Sequence, residues 1–183
     1  MLDFLRVKTV PTVSWSSPRP LNFFPALRTF VLLCIGLVLF GVGEALLINA
    51  GVGVSPWTVF SQGVANTSGL GIGMSTFFIG VGVLVLWIPL RQTPGLGTLL
   101  TIIIIAAVME LSLPYLPQMA GTVSGIIQTM LGVFIVGLGS GLYLVANLGP
   151  GPRDGVMTGL QRVTGLPVAL VRMSIELTVV GIG

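Results

Sequence analysis

Five runs of mainly apolar residues, each bounded by proline, glycine or charge, organise this sequence: Thr29 to Asn49, Gly73 to Leu90, Gly97 to Leu113, Ile126 to Ala146, and a last one starting near Val168. A helix needs about 20 such residues to cross a hydrocarbon core about 30 Å thick, so each run is a candidate membrane span. Pro114 closes the third, because proline cannot continue a helix without losing a backbone bond. With 54% hydrophobic and only 7% charged residues, the chain falls outside the range of soluble domains, of which about a quarter of the residues are charged. The expectation is an all-α, polytopic transmembrane helical bundle with five spans.

The few charges then report orientation. Arg6, Lys8, Arg19 and Arg28 precede the first span, Arg91 lies between the second and third, Arg153 and Arg162 lie between the fourth and fifth, and Arg172 opens the fifth. If the N-terminus is cytoplasmic, alternation places all eight basic residues on or near the cytoplasmic side, and the loops 50–72 and 114–125 carry none. Residues 1–23 are rich in Pro and Ser and too polar to span, so they read as a cytoplasmic N-terminal tail ahead of a single transmembrane domain over 24–183. Eight basic against five acidic residues give no nucleic-acid-binding face. The absence of His and the lone Cys34 leave no zinc site, Cys/His catalytic pair or disulfide framework. No catalytic residue, metal or cofactor is expected.

Self-similarity is the most informative feature. Residues 41–80 (GVGEALLINAGVGVSPWTVFSQGVANTSGLGIGMSTFFIG) align without a gap over residues 137–176 (GLGSGLYLVANLGPGPRDGVMTGLQRVTGLPVALVRMSIE) at an offset of 96, with 10 of 40 positions identical. A chain this rich in Gly, Leu and Val gives roughly three or four by chance at one register. The two repeats, over about 24–119 and 120–183, are separated by three spans, so they cross in opposite senses, the inverted topology of many secondary transporters. Each contains a Gly-Pro break and a short helix: Ser55 caps one starting at Pro56, and Gly151 and Pro152 open the other. The expected apolar faces are Trp57, Phe60 and Val64, and Val156, Leu160 and Val163. At about a dozen residues, roughly 18 Å, neither helix spans; each lies in the interface or dips in as a re-entrant element.

The strings ALLINAGVGVSPWTVFSQG, WIPLRQTPGLGTLL and GLGSGLYLVANLGPGPRDGVMTGLQRVTGLPVALVRMSIE resemble the YczE-like (YitT/YczE-type) bacterial integral membrane proteins. The resemblance runs from about Val31 to the end, and its most specific element is GPGPRDG followed by R-x-x-x-E in the next span. It implies a multi-pass protein of the bacterial cytoplasmic (inner) membrane and no particular activity. It also implies a chain continuing past the fifth span, so this sequence reads as truncated within its second repeat.

Ionisable groups inside a membrane are costly and therefore mark candidate function. Arg153 and Asp154 fall in the first turn of the second short helix, where free N–H groups favour an anion; Arg153 would bind a carboxylate or phosphate and Asp154 would cap. Arg172 and Glu176 share a helix face four residues apart, Glu176 about 14 Å into its span. Together the four would form a neutral cluster for a small anionic or zwitterionic solute, or a packing lock between helices. Glu44 and Glu110, at similar depth in two parallel spans, are candidates for proton coupling if their helices touch and otherwise reach the interface separately. Gly36, Gly41, Gly43, Gly132, Gly137, Gly139 and Gly141 would let helices approach closely. Trp57 and Trp87 read as interfacial anchors. The leading functional expectation is a small-solute transporter or permease with its site at the repeat interface. The alternative is an accessory or scaffold protein acting on a membrane partner, or on its own copies, by helix contacts; an intramembrane enzyme lacks visible machinery.

Overall fold

The computed structural model describes residues 12–119 and 121–183. All regular structure among the described residues is helical: α1 (Leu27–Ala50), α2 (Pro56–Ser68), α3 (Ile72–Leu90), α4 (Leu96–Ser112), α5 (Thr122–Val145), α6 (Pro152–Thr164) and α7 (Val168–Ile182), with a 3-10 turn at Leu113–Tyr115 where Pro114 ends α4. Four helical segments are long and apolar enough to cross a membrane: α1, α3, α4 with its 3-10 turn, and α5. The fifth expected run forms α7, whose 15 residues rise about 22 Å and fall short of a full hydrocarbon core by length.

Helix boundaries recur at the register of the sequence alignment. α2 runs from 56 to 68 and α6 from 152 to 164, while α3 begins at 72 and α7 at 168, each 96 residues on. Both short helices start with proline and stop at a left-handed glycine, Gly69 with φ 72° and Gly165 with φ 70°. Proline's fixed φ suits the first helical position, and glycine alone enters the left-handed region at no steric cost.

The centre of the fold is the crossing of α1 and α5. A Cβ on Gly36 would lie 2.9 Å from the carbonyl oxygen of Gly139, and one on Gly139 would lie 2.6 Å from that of Gly36. A second crossing pairs Gly43 with Gly132, at 3.0 and 3.1 Å by the same measure. As the sequence ascends on one helix it descends on the other, so α1 and α5 are antiparallel. Gly132 and Gly139 are also the 96-residue counterparts of Gly36 and Gly43. Each contact thus pairs the offset counterparts of the other.

The remaining packing keeps the same correspondence. α3 packs on α6, and its counterpart α7 packs on α2; within each half, α2 meets α3 and α6 meets α7. α4 lies against α1 and α3. Leu33, Leu37, Ile105, Met109, Tyr143, Ala146 and Leu148 form one core, and Val83, Trp87 and Val156 a second. The expected tail over residues 1–23 lies partly outside the described residues. Its described portion docks on the end of α5, where Ser16 Oγ donates to Val145 O at 2.6 Å, Ser17 N to Ala146 O at 3.0 Å and Asn147 Nδ2 to Ser17 O at 2.8 Å.

The glycines are not equivalent, since Gly137 and Gly141 have nothing within 4 Å of an added Cβ. We predict that Gly139→Ala, which drives a methyl into backbone, lowers stability by about 1–3 kcal/mol. Gly141→Ala is neutral or slightly stabilising, as for any helix glycine in open space. Thermal unfolding of the two variants in one detergent checks this difference.

Candidate functional site

A cavity of about 440 Å³ lies between the starts of α2 and α6, bordered by α1, α3, α4, α5 and α7. Its wall holds the beginnings of both short helices, Ser55, Pro56 and Trp57 from α2 and Gly151, Pro152 and Arg153 from α6. Equivalent positions line it in pairs: Phe40 with Val136, Glu44 with Ser140, Thr76 with Arg172, Ile79 with Ile175, Gly80 with Glu176. Five of the six ionisable residues singled out in the sequence border this one space, Glu44, Arg153, Asp154, Arg172 and Glu176.

The chain enters the site by a descending segment after α5. Gly97 N donates to Leu148 O at 2.7 Å, and Thr98 Oγ1 to Pro150 O at 2.7 Å, so residues 148–150 are held on the first turn of α4. From Pro152 the helix turns back along α3. Trp87 Nε1 donates to the carbonyl of Pro152 at 2.9 Å, and Arg162 Nη2 reaches the carbonyls of Leu90 at 2.9 Å and Arg91 at 3.3 Å. The first turn of α6 is therefore deep beside α3, and its last turn is at the end where Arg91 also sits. Glycine makes this possible, because the Trp87 indole occupies the space that a Cβ on Gly155 would need.

The two halves carry an acid and a hydroxyl in reciprocal placement. In the first, the acid is on the long helix: Glu44, 4% exposed, accepts from Thr58 Oγ1 of α2 at 2.6 Å and Ser55 Oγ at 3.5 Å, through Oε2 in both cases. In the second, the acid is on the short helix: Asp154 Oδ2 accepts from Tyr143 Oη of α5 at 2.7 Å. Thr58 and Asp154 are counterparts at the 96-residue offset. Ser55 also accepts from Thr58 N, which caps α2, whereas α6 has no side-chain cap. The capping expected of Asp154 is thus replaced by its bond to Tyr143, which leaves first-turn N–H groups of α6 without a side-chain partner.

Arg153 stands where the two short helices meet. Its guanidinium carbon lies 5.0 Å from the ring centroid of Trp57, its counterpart in the first repeat. Among the described residues it makes no hydrogen bond or ion pair. Arg172 Nε donates to Glu176 Oε1 at 2.8 Å, a pair at the more open edge of the cavity, with Arg172 68% exposed.

Glu110 belongs elsewhere. Its Oε2 accepts from the backbone N–H of Gly73 at 2.8 Å and Met74 at 3.3 Å, so it caps α3, and it shares no partner with Glu44. A carboxylate at a helix start offsets the positive dipole end there. The tryptophans also differ from expectation: Trp87 is 2% exposed and joins α3 to α6, and Trp57 stacks on Arg153. The buried face of α2 is Thr58, Ser61 and Ala65 instead of Trp57, Phe60 and Val64, because Glu44 draws the hydroxyl side inward. On α6 it is Pro152, Gly155, Val156 and Gly159, with Val163 66% exposed, because the glycines seat Trp87 and Leu90. Tyr143, Thr58 and Ser140 were missed in the sequence for want of charge; the offset of 96 would have found Thr58 through Asp154 and Ser140 through Glu44.

We predict that Trp87→Phe costs about 1 kcal/mol, the value of one hydrogen bond, in thermal unfolding. Gly155→Ala displaces the indole and shifts the tryptophan emission to the red, which steady-state fluorescence of the purified variant reads.

Comparison with known proteins agrees with the membrane reading. The model of a family of unknown function, DUF6198, matches residues 27–183. An uncharacterized protein of Haemophilus influenzae is 36% identical over 178 residues, covering 97% of this chain and 81% of that protein. The uncharacterized membrane protein YczE of Bacillus subtilis is 34% identical over 148 residues, 79% of this chain and 68% of the relative. No solved structure gives a significant match. A multi-pass helical membrane protein with a cavity bordered by five charged side chains, this chain belongs to the DUF6198 family.

Proposed function

We propose that this protein is a small-solute transporter built from two inverted-topology repeats, with this cavity as its site. The observation that carries the reading is Arg153, a guanidinium without a hydrogen-bond partner among the described residues, in a cavity lined in pairs by positions 96 residues apart. Interrupted elements meeting at the repeat interface are the usual seat of substrate in such carriers. Irregular backbone at 51–55 and 146–151 is tolerated at depth only where it lines a cavity or is covered by protein. In this reading α2 and α6 are re-entrant from opposite faces, α7 is the fifth span, and the N-terminus is cytoplasmic in a bacterial inner membrane. The antiparallel α1 and α5 and the gathering of Arg91 and Arg162 at one end support it.

Topology and cavity can be tested together in a Cys34→Ala background. An impermeant thiol reagent should label Thr67→Cys from outside and Thr164→Cys only from the cytoplasmic side. Ser140→Cys in the cavity wall should react with a small hydrophilic thiosulfonate, and Gly137→Cys on the open face of α5 only with a lipophilic maleimide. Labelling of both loop positions from one side would sink the inverted repeat. An unreactive Ser140→Cys would mean that the charges lock helices together, and the scaffold reading would replace the transporter.

A further inference from the structure

Five charged side chains border the cavity, three carboxylates and two guanidiniums. The starts of α2 and α6 add about half a positive charge each, so the site as a whole is close to neutral. Burying a net charge in a site of low dielectric is expensive, and a near-neutral site disfavours a solute with net charge of either sign. Within that balance the partners are unevenly used. Among the described residues Arg153 has no hydrogen-bond acceptor, and the first turn of α6 beside it has no side-chain cap. Among the described residues Glu44 is engaged only through Oε2, Asp154 only through Oδ2 and Glu176 only through Oε1, so each carboxylate keeps one oxygen for a further donor. The rest of the wall is mostly apolar, with Phe40, Ile79, Val83, Ile102 and Ile105 among it, and adds the hydroxyls of Thr76, Thr101 and Ser140.

From this distribution we infer that the cavity takes a zwitterion with an apolar body, the chemical class of an α-amino acid with an aliphatic side chain. Its carboxylate meets Arg153 and the first-turn N–H groups of α6, in the manner of anions at helix starts. Its ammonium meets the free oxygens of Glu44 and Asp154, and its side chain meets the aliphatic wall. Arg153 then exchanges the face of Trp57 for the ligand carboxylate, a stronger partner for a guanidinium than an aromatic ring. The inference rests on the cavity being a solute site, as proposed above.

Three probes with one isobutyl body separate the possibilities: L-leucine, 4-methylpentanoate, which lacks the amine, and 3-methylbutylamine, which lacks the carboxylate. Titrated onto the purified full chain and followed by thermal shift and calorimetry, leucine should bind at least about tenfold more tightly than either analogue, each of which leaves one charged partner unpaired. Glu44→Gln should weaken leucine by about tenfold and strengthen 4-methylpentanoate, because a carboxylate facing the ligand is gone. Asp154→Asn serves in the same role should Glu44→Gln fail to fold. Equal binding of leucine and 4-methylpentanoate overturns the zwitterion and makes the cavity an anion site, leaving the transporter reading in place. Leucine binding that neither variant alters overturns the location. No binding of any probe with a reactive Ser140→Cys overturns the class alone, and with an unreactive one overturns both readings.

Discussion

Backbone-to-backbone contact between α1 and α5 is the constraint on which the rest depends. Inside a bilayer there is no hydrophobic gain in bringing two helices together, so close packing, polar contacts and lipid entropy must do it. Gly36 with Gly139 and Gly43 with Gly132 permit an approach that any side chain would prevent. That approach fixes the antiparallel sense of the two helices. It also determines that the chain leaving α1 at Ala50 and the chain leaving α5 at Val145 do so at opposite ends of the crossing. Each then runs back toward the middle, and the starts of α2 and α6 converge on the cavity.

Convergence of two helix starts creates an electrostatic problem that the sequence solves differently on each side. α2 is capped by its own Ser55 and supplies Thr58 to Glu44. α6 is uncapped, carries both Arg153 and Asp154 in its first turn, and hands Asp154 to Tyr143. A perfect duplicate would place identical groups face to face between the two starts, where like charges repel at low dielectric. Here Trp57 faces Arg153 instead, an aromatic face against a cation. Positions 57 and 153, and 58 and 154, thus differ where identical charges would repel, while the offset positions at the helix crossing are all glycine.

Much of this was legible in the sequence because membrane helices announce themselves by length and apolarity, and because proline and glycine mark their ends. Pro56, Gly69, Pro152 and Gly165 bound α2 and α6 where the structure does. The gathering of Arg153, Asp154, Arg172 and Glu176 around one cavity was an expectation from spacing, since an offset of four fixes a helix face and a common turn fixes neighbours. What the sequence withheld was rotation. Apolarity nearly all round α1 and α4, the helices that carry them, does not say which face turns inward, so Glu44 joining the cavity and Glu110 capping α3 could not be told apart. Trp87 was misread for a related reason: a tryptophan near the end of an apolar run has the same neighbours in sequence whether it anchors at the interface or packs on a glycine of another helix.

Glu44 changes the chemistry assigned to the cluster. Without it, Arg153, Asp154, Arg172 and Glu176 are a balanced set, and the helix starts would leave the cavity positive and suited to an anion. With it, the side chains carry one excess negative charge, which the two helix starts offset. The balance therefore depends on one residue of α1 whose hydrogen bonds both come from α2. Any movement of α2 that withdrew Thr58 and Ser55 would leave a buried carboxylate with neither donor, and protonation or a ligand ammonium would be the two ways to relieve it. In the proposed transporter, occupancy of the cavity and the position of α2 would be linked in this way through a single side chain. Such a link lets a carrier favour one conformation when loaded and another when empty, by an amount set by the difference in ligand affinity between the two.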